Sequence, residues 1–327
     1  MNPRSRLRLI LSLASLAAAG LPLSAAAQEP WAGRNISYVV PYPPGGTTDI
    51  LGRTIAQRLG EALKTTVIVD NKAGATGTIG GAFVARAAPD GLTLLGTSIG
   101  PQAIVPHLMK LPYDPAKAYE PVALIGTVPH LLVVNPAAPW ANVAQLVAAA
   151  RDKPGAISFA SGGNGTILQM QGELLRLQTR TTLTHVPYKG DAPALQDVIG
   201  GQAGFVFAPI AAALPHVQSG KLKALAVTSA ARLPGLPSVP TMVEQGYKDF
   251  VVEQWQAVYL PAKTPAPVVQ RLHQEISRIL KDKDVVAQFE KLGITVVDGT
   301  PAQLAQRQAA DSQRWGTVIR DAGIKLD

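Results

Sequence analysis

The 327-residue sequence contains no cysteine. It therefore forms no disulfides, and a cysteine-ligated structural zinc is excluded. The five histidines are His107, His130, His185, His216 and His273. No two of them stand at metal-ligand spacing, so no metal is expected. Phosphate-binding signatures are missing too. Gly220-Lys221 lacks the rest of G-x-x-x-x-G-K-[ST], and GATGTIGG at 74–81 lacks G-x-G-x-x-G spacing. No cofactor is expected. Basic residues are scattered, with no cluster interleaved with aromatics, which argues against nucleic acid. After residue 27 no apolar run reaches the length of about 18 that a membrane helix needs.

What is present begins with a leader. Arg4, Arg6 and Arg8 precede an apolar stretch from Leu9 to Leu21, and Ala25-Ala26-Ala27 offers small residues for cleavage. This is the pattern of a secretory signal peptide cut near Ala27-Gln28. Its removal leaves 300 of the 327 residues and takes away three arginines, so 27 basic and 22 acidic side chains remain, a net charge of +5. That excess suits small anionic ligands. A length of 300 suggests two domains, and 47% apolar residues supply their cores.

Short β-rich runs alternate with helical patterns, which predicts an α/β fold with mostly parallel sheets. Strands are expected at 36–40, 65–69, 92–95, 122–125, 131–134, 157–160, 183–186, 205–207 and 222–227. The chain is expected to cross into a second domain near residue 129 and to return over the apolar run Val251 to Leu260. This gives residues 28–128 with 251–327 as one domain and 129–250 as the other. Two crossings make a hinge of two strands, an arrangement suited to closing on a ligand. Trp255, on the return strand, is the tryptophan placed to report hinge motion.

The chain is organised around Tyr38 to Arg53, YVVPYPPGGTTDILGR. An apolar strand runs into three prolines, which cannot donate to a sheet ladder. Gly45 and Gly46 then allow a tight turn with bare N–H groups. Thr47, Thr48 and Asp49 suit a helix start. Ile50, Leu51, Ile55, Leu59 and Leu63 share the buried face of the helix that follows. Strand, bare loop and helix N-terminus together favour an anion; the same residues would also make a well-capped connection. The pattern recurs midway along the chain: Ile157 to Ala160, then Ser161-Gly162-Gly163-Asn164-Gly165-Thr166, then a helix through Leu168, Leu174 and Leu175. If the two loops face one cleft, they would hold a compact carboxylate between them.

The loop PYPPGGTTD followed by Arg53 resembles the first ligand loop of the Bug family, the extracytoplasmic solute-binding proteins of tripartite tricarboxylate transporters. The resemblance extends over nearly the whole mature chain. It includes DNKAGATGTIG at 70–80, APDGLTLL at 88–95 and LPYDPAKAYEPVALI at 111–125. It continues with KPGAISFASGGNGT at 153–166, HVPYKGDAPALQDVIGGQ at 185–202 and LAVTSAARLPGLPSVPT at 225–241. It implies a two-domain Venus-flytrap fold similar to type II periplasmic binding proteins. It also implies a periplasmic location, a di- or tricarboxylate ligand, delivery to membrane permease subunits, and no enzyme activity. By position, Pro43, Gly45, Gly46, Thr47, Thr48 and Asp49 should grip the near carboxylate of the ligand, with Ser98 on the same side. Ser161, Gly162, Asn164, Gly165 and Thr166 should meet it from the second domain. Asp191 resembles a further cleft residue or is a helix N-cap; Tyr188 lines the cleft or is core with its hydroxyl bonded. Two positions depart from the family pattern. Gln169 stands where histidine is usual, and Gly204 where aspartate is usual. Loss of that aspartate removes an acceptor for a ligand amine, which favours a plain carboxylic acid.

Two other roles compete. Gly96-Thr97-Ser98-Ile99-Gly100 matches the G-x-S-x-G elbow of serine hydrolases. However, Pro101 spoils the helix expected after it, and no oxyanion motif precedes it. A ligand-presenting component of a signalling system would share the binding fold, and the sequence leaves that role open. Nothing in the sequence points beyond a monomer.

Overall fold

The computed structural model describes Trp31 and residues 33–325. The expected leader and its cleavage point lie outside the described residues. In chain order the elements are β1 (Ile36–Val40), α1 (Thr47–Leu63), β2 (Val67–Asn71), α2 (Thr78–Ala85), β3 (Thr93–Ser98) and β4 (Tyr119–Val134). They continue as α3 (Val143–Asp152), β5 (Ser158–Ser161), α4 (Ile167–Thr179), β6 (Thr184–Pro187), α5 (Asp191–Ile199), β7 (Phe205–Pro209), α6 (Ile210–Gln218) and β8 (Lys223–Val227). The last are β9 (Glu253–Pro261), α7 (Ala266–Leu280), α8 (Lys283–Lys291), β10 (Thr295–Gly299) and α9 (Pro301–Ala322).

One curled sheet runs through the molecule in the order β2-β1-β3-β9-β4-β7-β5-β6, with β10 and β8 both pairing with β4. Its first part has β1 parallel to β2 and β3, and its last part has β5 parallel to β6 and β7. The antiparallel strands β9 and β4 lie between them. The strands expected at 122–125 and 131–134 are one 16-residue strand, β4. Pro121 and Pro129 do not break it. The ladder to β9 shifts register between Pro121 and Ala123, a bulge that absorbs the missing donor. Pro129 closes the pairing with β9 opposite Glu253, and His130 opens the pairing with β7 opposite Pro209. The proline thus stands where the strand changes partners.

Local signals hold well elsewhere. On α1, Leu51, Ile55, Leu59 and Leu63 are buried as their spacing requires, with Ile50 half-buried. Asn142 caps α3 by accepting from the Gln145 N–H. Thr300 and Gln303 form a reciprocal capping box at the start of α9. This last helix packs on β4, on the turn Gly100–Ile104 and on α4. Asp311 on α9 accepts from the indole N–H of Trp255 at 2.8 Å, and Arg314 donates to the carbonyls of Asp249 and Val251. Trp255 is fully buried there. The parallel strands of both halves turn their carboxyl ends, at Val40, Ser98, Ser161 and Pro187, toward loops that face one another. Ligands bind outside the carboxyl ends of strands in folds of this kind.

Candidate functional site

The first loop leaves β1 through Pro41 and Tyr42. Pro43, Pro44, Gly45 and Gly46 are exposed, Thr47 is half-buried, and Thr48 and Asp49 are buried. Gly45 has φ +88°, a conformation that glycine alone adopts without strain. Asp49 braces this turn from below. One carboxylate oxygen accepts from Gly45 N and Arg53 Nε, both at 2.9 Å, and the other from Asn71 Nδ2 at 2.9 Å. The same Asn71 amide also donates to the Tyr42 carbonyl. Burial alone would push the Asp49 carboxyl up, but the hydrogen bonds from Arg53, Gly45 and Asn71 outweigh it and hold the carboxyl below its ordinary value. All the accepting capacity seen here points into the protein.

The helix beyond is open at its start. Gly46 is the N-cap of α1, and no side chain caps it. The N–H groups of Gly46, Thr47 and Thr48 have no acceptor among the described residues. Instead of capping, Thr48 donates its hydroxyl to Gln256 Oε1 at 2.8 Å. Gln256 lies on β9 opposite Ser98 of β3. Its Nε2 is buried without a partner, which leaves a strong donor beside the loop. Ser98 is hydrogen-bonded with the Tyr42 hydroxyl at 2.8 Å.

The second loop is braced by its own side chains, although the N–H groups of Ile167 and Leu168 have no acceptor among the described residues. Thr166 caps α4 by accepting from Gln169 N and donates to the Gly163 carbonyl. Gly165 N donates to Gln169 Oε1 at 2.8 Å, and Gly163 N donates to Ser161 Oγ. Because Gln169 Oε1 accepts, its amide nitrogen is the end that meets His185 Nδ1, at 3.4 Å. Nδ1 is thus an acceptor, and the proton sits on Nε2, which donates to Ser161 Oγ at 2.7 Å. Burial lowers the His185 ring to about 4, and it stacks on Phe159 with centroids 4.9 Å apart. The ring is neutral and structural. Asn164 is exposed, with no side-chain bond.

The second loop meets the first half of the chain near the turns at 75–77 and 105–108. Gly165 has φ +77°, and a Cβ added there would meet Leu108, Val105 and Thr76. Gly162 lies under the carboxylate of Asp191, where a Cβ would collide with Oδ1. Asp191 is the first residue of α5, whose N-cap is Gly190, so it is not a cap itself. Burial raises the Tyr42 phenol, the hydrogen bond with Ser98 lowers it, and the Asp191 carboxylate adds a smaller upward push. Tyr188 is half-buried and donates its hydroxyl to Asp197 at 2.6 Å, inside the second half.

Two expectations need correction. Gly204 precedes β7, at the end of that sheet away from the cleft. Its N–H meets Ser158 Oγ, at the start of β5, and it borders a cavity of about 460 Å³ with Trp140, Lys153 and Gln202. A glycine there removes no acceptor from the cleft. Pro101 does not prevent a helical turn after Ser98: Gly100–Ile104 is helical with Pro101 in its first turn, where no N–H is needed. The nucleophile reading still lacks its base, since the partner of Ser98 is a tyrosine. In the Ser161–His185 pair the histidine is the donor, the reverse of what a general base requires. Tyr42, Gln256 and His185 were not singled out in the sequence. A polar residue inside the apolar run Trp255 to Leu260 was the available signal for Gln256.

Comparison with known proteins is in accord with this geometry. Residues 51–324 match the family described as "Tripartite tricarboxylate transporter family receptor". The chain is 37% identical over 328 residues to "Protein BugT" of Bordetella pertussis, covering 100% of both chains. It is similar to the solved structure of R. palustris Rpa4515 with adipate, at 33% identity and a TM-score of 0.81, over 90% of this chain and 99% of that one. It is also similar to MatC (Rpa3494) from Rhodopseudomonas palustris with bound malate, at 32% identity and a TM-score of 0.78, over 87% of this chain and 98% of that one.

Proposed function

Because the chain belongs to the tripartite tricarboxylate transporter receptor family, with a Bug protein among its relatives, we propose that it captures a small carboxylate between its two halves and delivers it to membrane permease subunits. The observation that carries this reading is the open start of α1. Three N–H groups at Gly46, Thr47 and Thr48 have no acceptor, and they lie at the positive end of the helix dipole. Two similar proteins are solved with the dicarboxylates adipate and malate, which supports this ligand class.

In this reading Pro43, Gly45, Gly46, Thr47 and Thr48 shape the near carboxylate subsite. Asp49 acts from beneath as a brace. Ser98, with Tyr42, and the donor of Gln256 complete that wall. Ser161, Gly162, Asn164, Gly165 and Thr166 form the opposite wall, with Asp191 beside them. Hydrogen bonds to a charged group contribute roughly 1.5–3 kcal/mol each. Three of them exceed the dipole contribution of about 0.3–1 kcal/mol several-fold. Residues 28–128 with 251–327 and residues 129–250 would move as the two jaws, hinged where β4 changes partners at Pro129 and His130. The protein would work in the periplasm after loss of its leader; no helix among the described residues is long and apolar enough to cross a membrane.

The test is thermal melting of ligand-stripped mature protein against a panel of organic acids. A ligand at a hundredfold excess over its Kd stabilises the native state by about 2.7 kcal/mol. Such a gain raises Tm by several degrees in a protein of this size. A rise confined to carboxylates is expected; no rise with any carboxylate would refute the reading.

A further inference from the structure

The second half carries a cavity that the cleft does not use. It holds about 460 Å³, within the range of small-molecule sites. Trp140, Asp152 and Lys153 line it from the side of α3, and Ser158, Gln202 and Gly204 from the side of the sheet. Ser158 opens β5, whereas Ser161, at the other end of that short strand, belongs to the second glycine loop. The cavity and the cleft thus lie at opposite ends of one strand. Gly204 lets β7 begin this close to β5, since an added Cβ would lie 2.7 Å from the Ser158 carbonyl.

The polar side chains around the cavity are uncommitted. The Trp140 indole N–H, the Asp152 carboxylate, the Lys153 ammonium and the Gln202 amide make no hydrogen bond or ion pair among the described residues. Asp152 and Lys153 are adjacent in the chain, yet they do not pair with each other. Asp152 is also set against its own helix. It is the last residue of α3, where the dipole opposes a negative charge. The carbonyls of Arg151 and Asp152 have no backbone donor there, because Gly155 N donates to Thr182 O and Ala156 N to Lys153 O. This end of the cavity favours a cation, and Lys153 beside it favours an anion. Trp140 is half-buried, whereas Trp31, Trp255 and Trp315 are fully buried. Its ring offers an apolar face with a polar edge.

We propose that this cavity is a second ligand site, for a zwitterionic amino acid with an apolar or aromatic side chain. The ammonium goes to Asp152 and the open end of α3, the carboxylate to Lys153 and the Gln202 amide, and the side chain to the face of Trp140. A simple carboxylate leaves Asp152 unmatched, and a simple amine leaves Lys153 unmatched. A ligand of both signs satisfies the two charges that line the cavity. The site goes beyond the carboxylate reading of the cleft and does not rest on it.

The experiment is an NMR titration of the isotope-labelled mature protein that follows the indole N–H signal of Trp140, assigned by its loss in Trp140→Phe. The probes share one ring: L-phenylalanine, 3-phenylpropionate, which lacks the ammonium, and 2-phenylethylamine, which lacks the carboxylate. Each is taken to about 10 mM, tenfold above a millimolar Kd. L-Phenylalanine is expected to shift the signal saturably and to bind at least fivefold more tightly than either analogue. Asp152→Asn and Lys153→Met are each expected to weaken it by fivefold or more, and Gly46→Val, in the cleft, to leave the shift in place. No saturable shift with L-phenylalanine overturns the proposal, whether or not the cleft binds carboxylates. Equal binding of either analogue overturns it too, as does undiminished binding by the two cavity variants. A shift that Gly46→Val abolishes would place the amino acid in the cleft and would equally overturn it.

Discussion

The two glycine loops look alike in sequence, and they differ in where their donors go. In the first, the side chains that could cap α1 are turned elsewhere. Thr48 bonds Gln256 and Asp49 bonds Gly45, Arg53 and Asn71, so the helix start remains bare. In the second, Thr166 and Gln169 take up the loop's own N–H groups, and His185 locks Gln169 in place. One loop is a rigid frame around free donors. The other has the N–H groups of Gly163 and Gly165 bonded within the loop, while those of Ile167 and Leu168 at the start of α4 have no acceptor among the described residues. The difference teaches that similar strand, glycine and helix patterns can be capped differently: Gly46 leaves the third N–H of its helix to water or a ligand, and Thr166 takes up the equivalent one.

The contrast is broken most directly at Gly46. Its φ is −78°, and the nearest atom to an added Cβ is the Pro43 carbonyl at 3.9 Å. Gly46→Val should therefore fold, with Tm lower by about 2–4 °C at most. It should weaken the best-binding carboxylate by about 10- to 150-fold, the equivalent of one charge-assisted hydrogen bond of roughly 1.5–3 kcal/mol, as read by calorimetric titration. Gly165→Val is a poor counterpart, because φ +77° and contact with Leu108 strain the fold itself.

Gln169→Leu attacks the second loop. It leaves Gly165 N and His185 Nδ1 without partners, and urea unfolding should show a loss of about 1–3 kcal/mol. Ligand affinity should change by less than tenfold, since the polar atoms of Gln169 are turned inward to Gly165 and His185. A larger loss of affinity than of stability would erase the contrast between the loops.

The smallest effect sharpens the comparison of the two acids. The Asp191 carboxyl sits at about 6 in the folded protein, above its ordinary 3.8. Between these values the folded protein holds a proton that the unfolded chain has released, so this group's contribution to stability falls as pH rises through the window. Asp49 has the opposite sign: its carboxyl is lowered, and its contribution is present above the ordinary value and is lost as pH falls through the lowered one. In urea unfolding, Asp191→Asn should be more stable than wild type at pH 7.5, and the gap should shrink toward pH 4. A gap independent of pH would mean that Asp191 is not desolvated.

Much of this was legible along the chain. The strand and helix at 36–63, the cap at Asn142 and the whole of α9 were readable because their signals are local: apolar spacing, capping side chains and prolines at helix starts. The recurrence of strand, loop and helix at 157–179 was legible for the same reason. Local signals failed in three places. Prolines at 121 and 129 suggested two strands, because a bulge and a change of partner belong to the sheet and not to the strand. Gly204 looked like part of the cleft because its distance from Asp191 in sequence says nothing about which end of β7 it occupies. Gln256 lies 208 residues from Thr48, and no pattern along the chain pairs them.

The sequence by itself determined the class of fold and the two glycine loops, since period, propensity and bare glycines act over a few residues. Only the tertiary structure decided which N–H groups stay free and that Asp49 is a brace. Those outcomes depend on which distant donors and acceptors the folded sheet brings within 3 Å or so of each other, and a hydrogen bond at that range is made or lost by packing rather than by residue type.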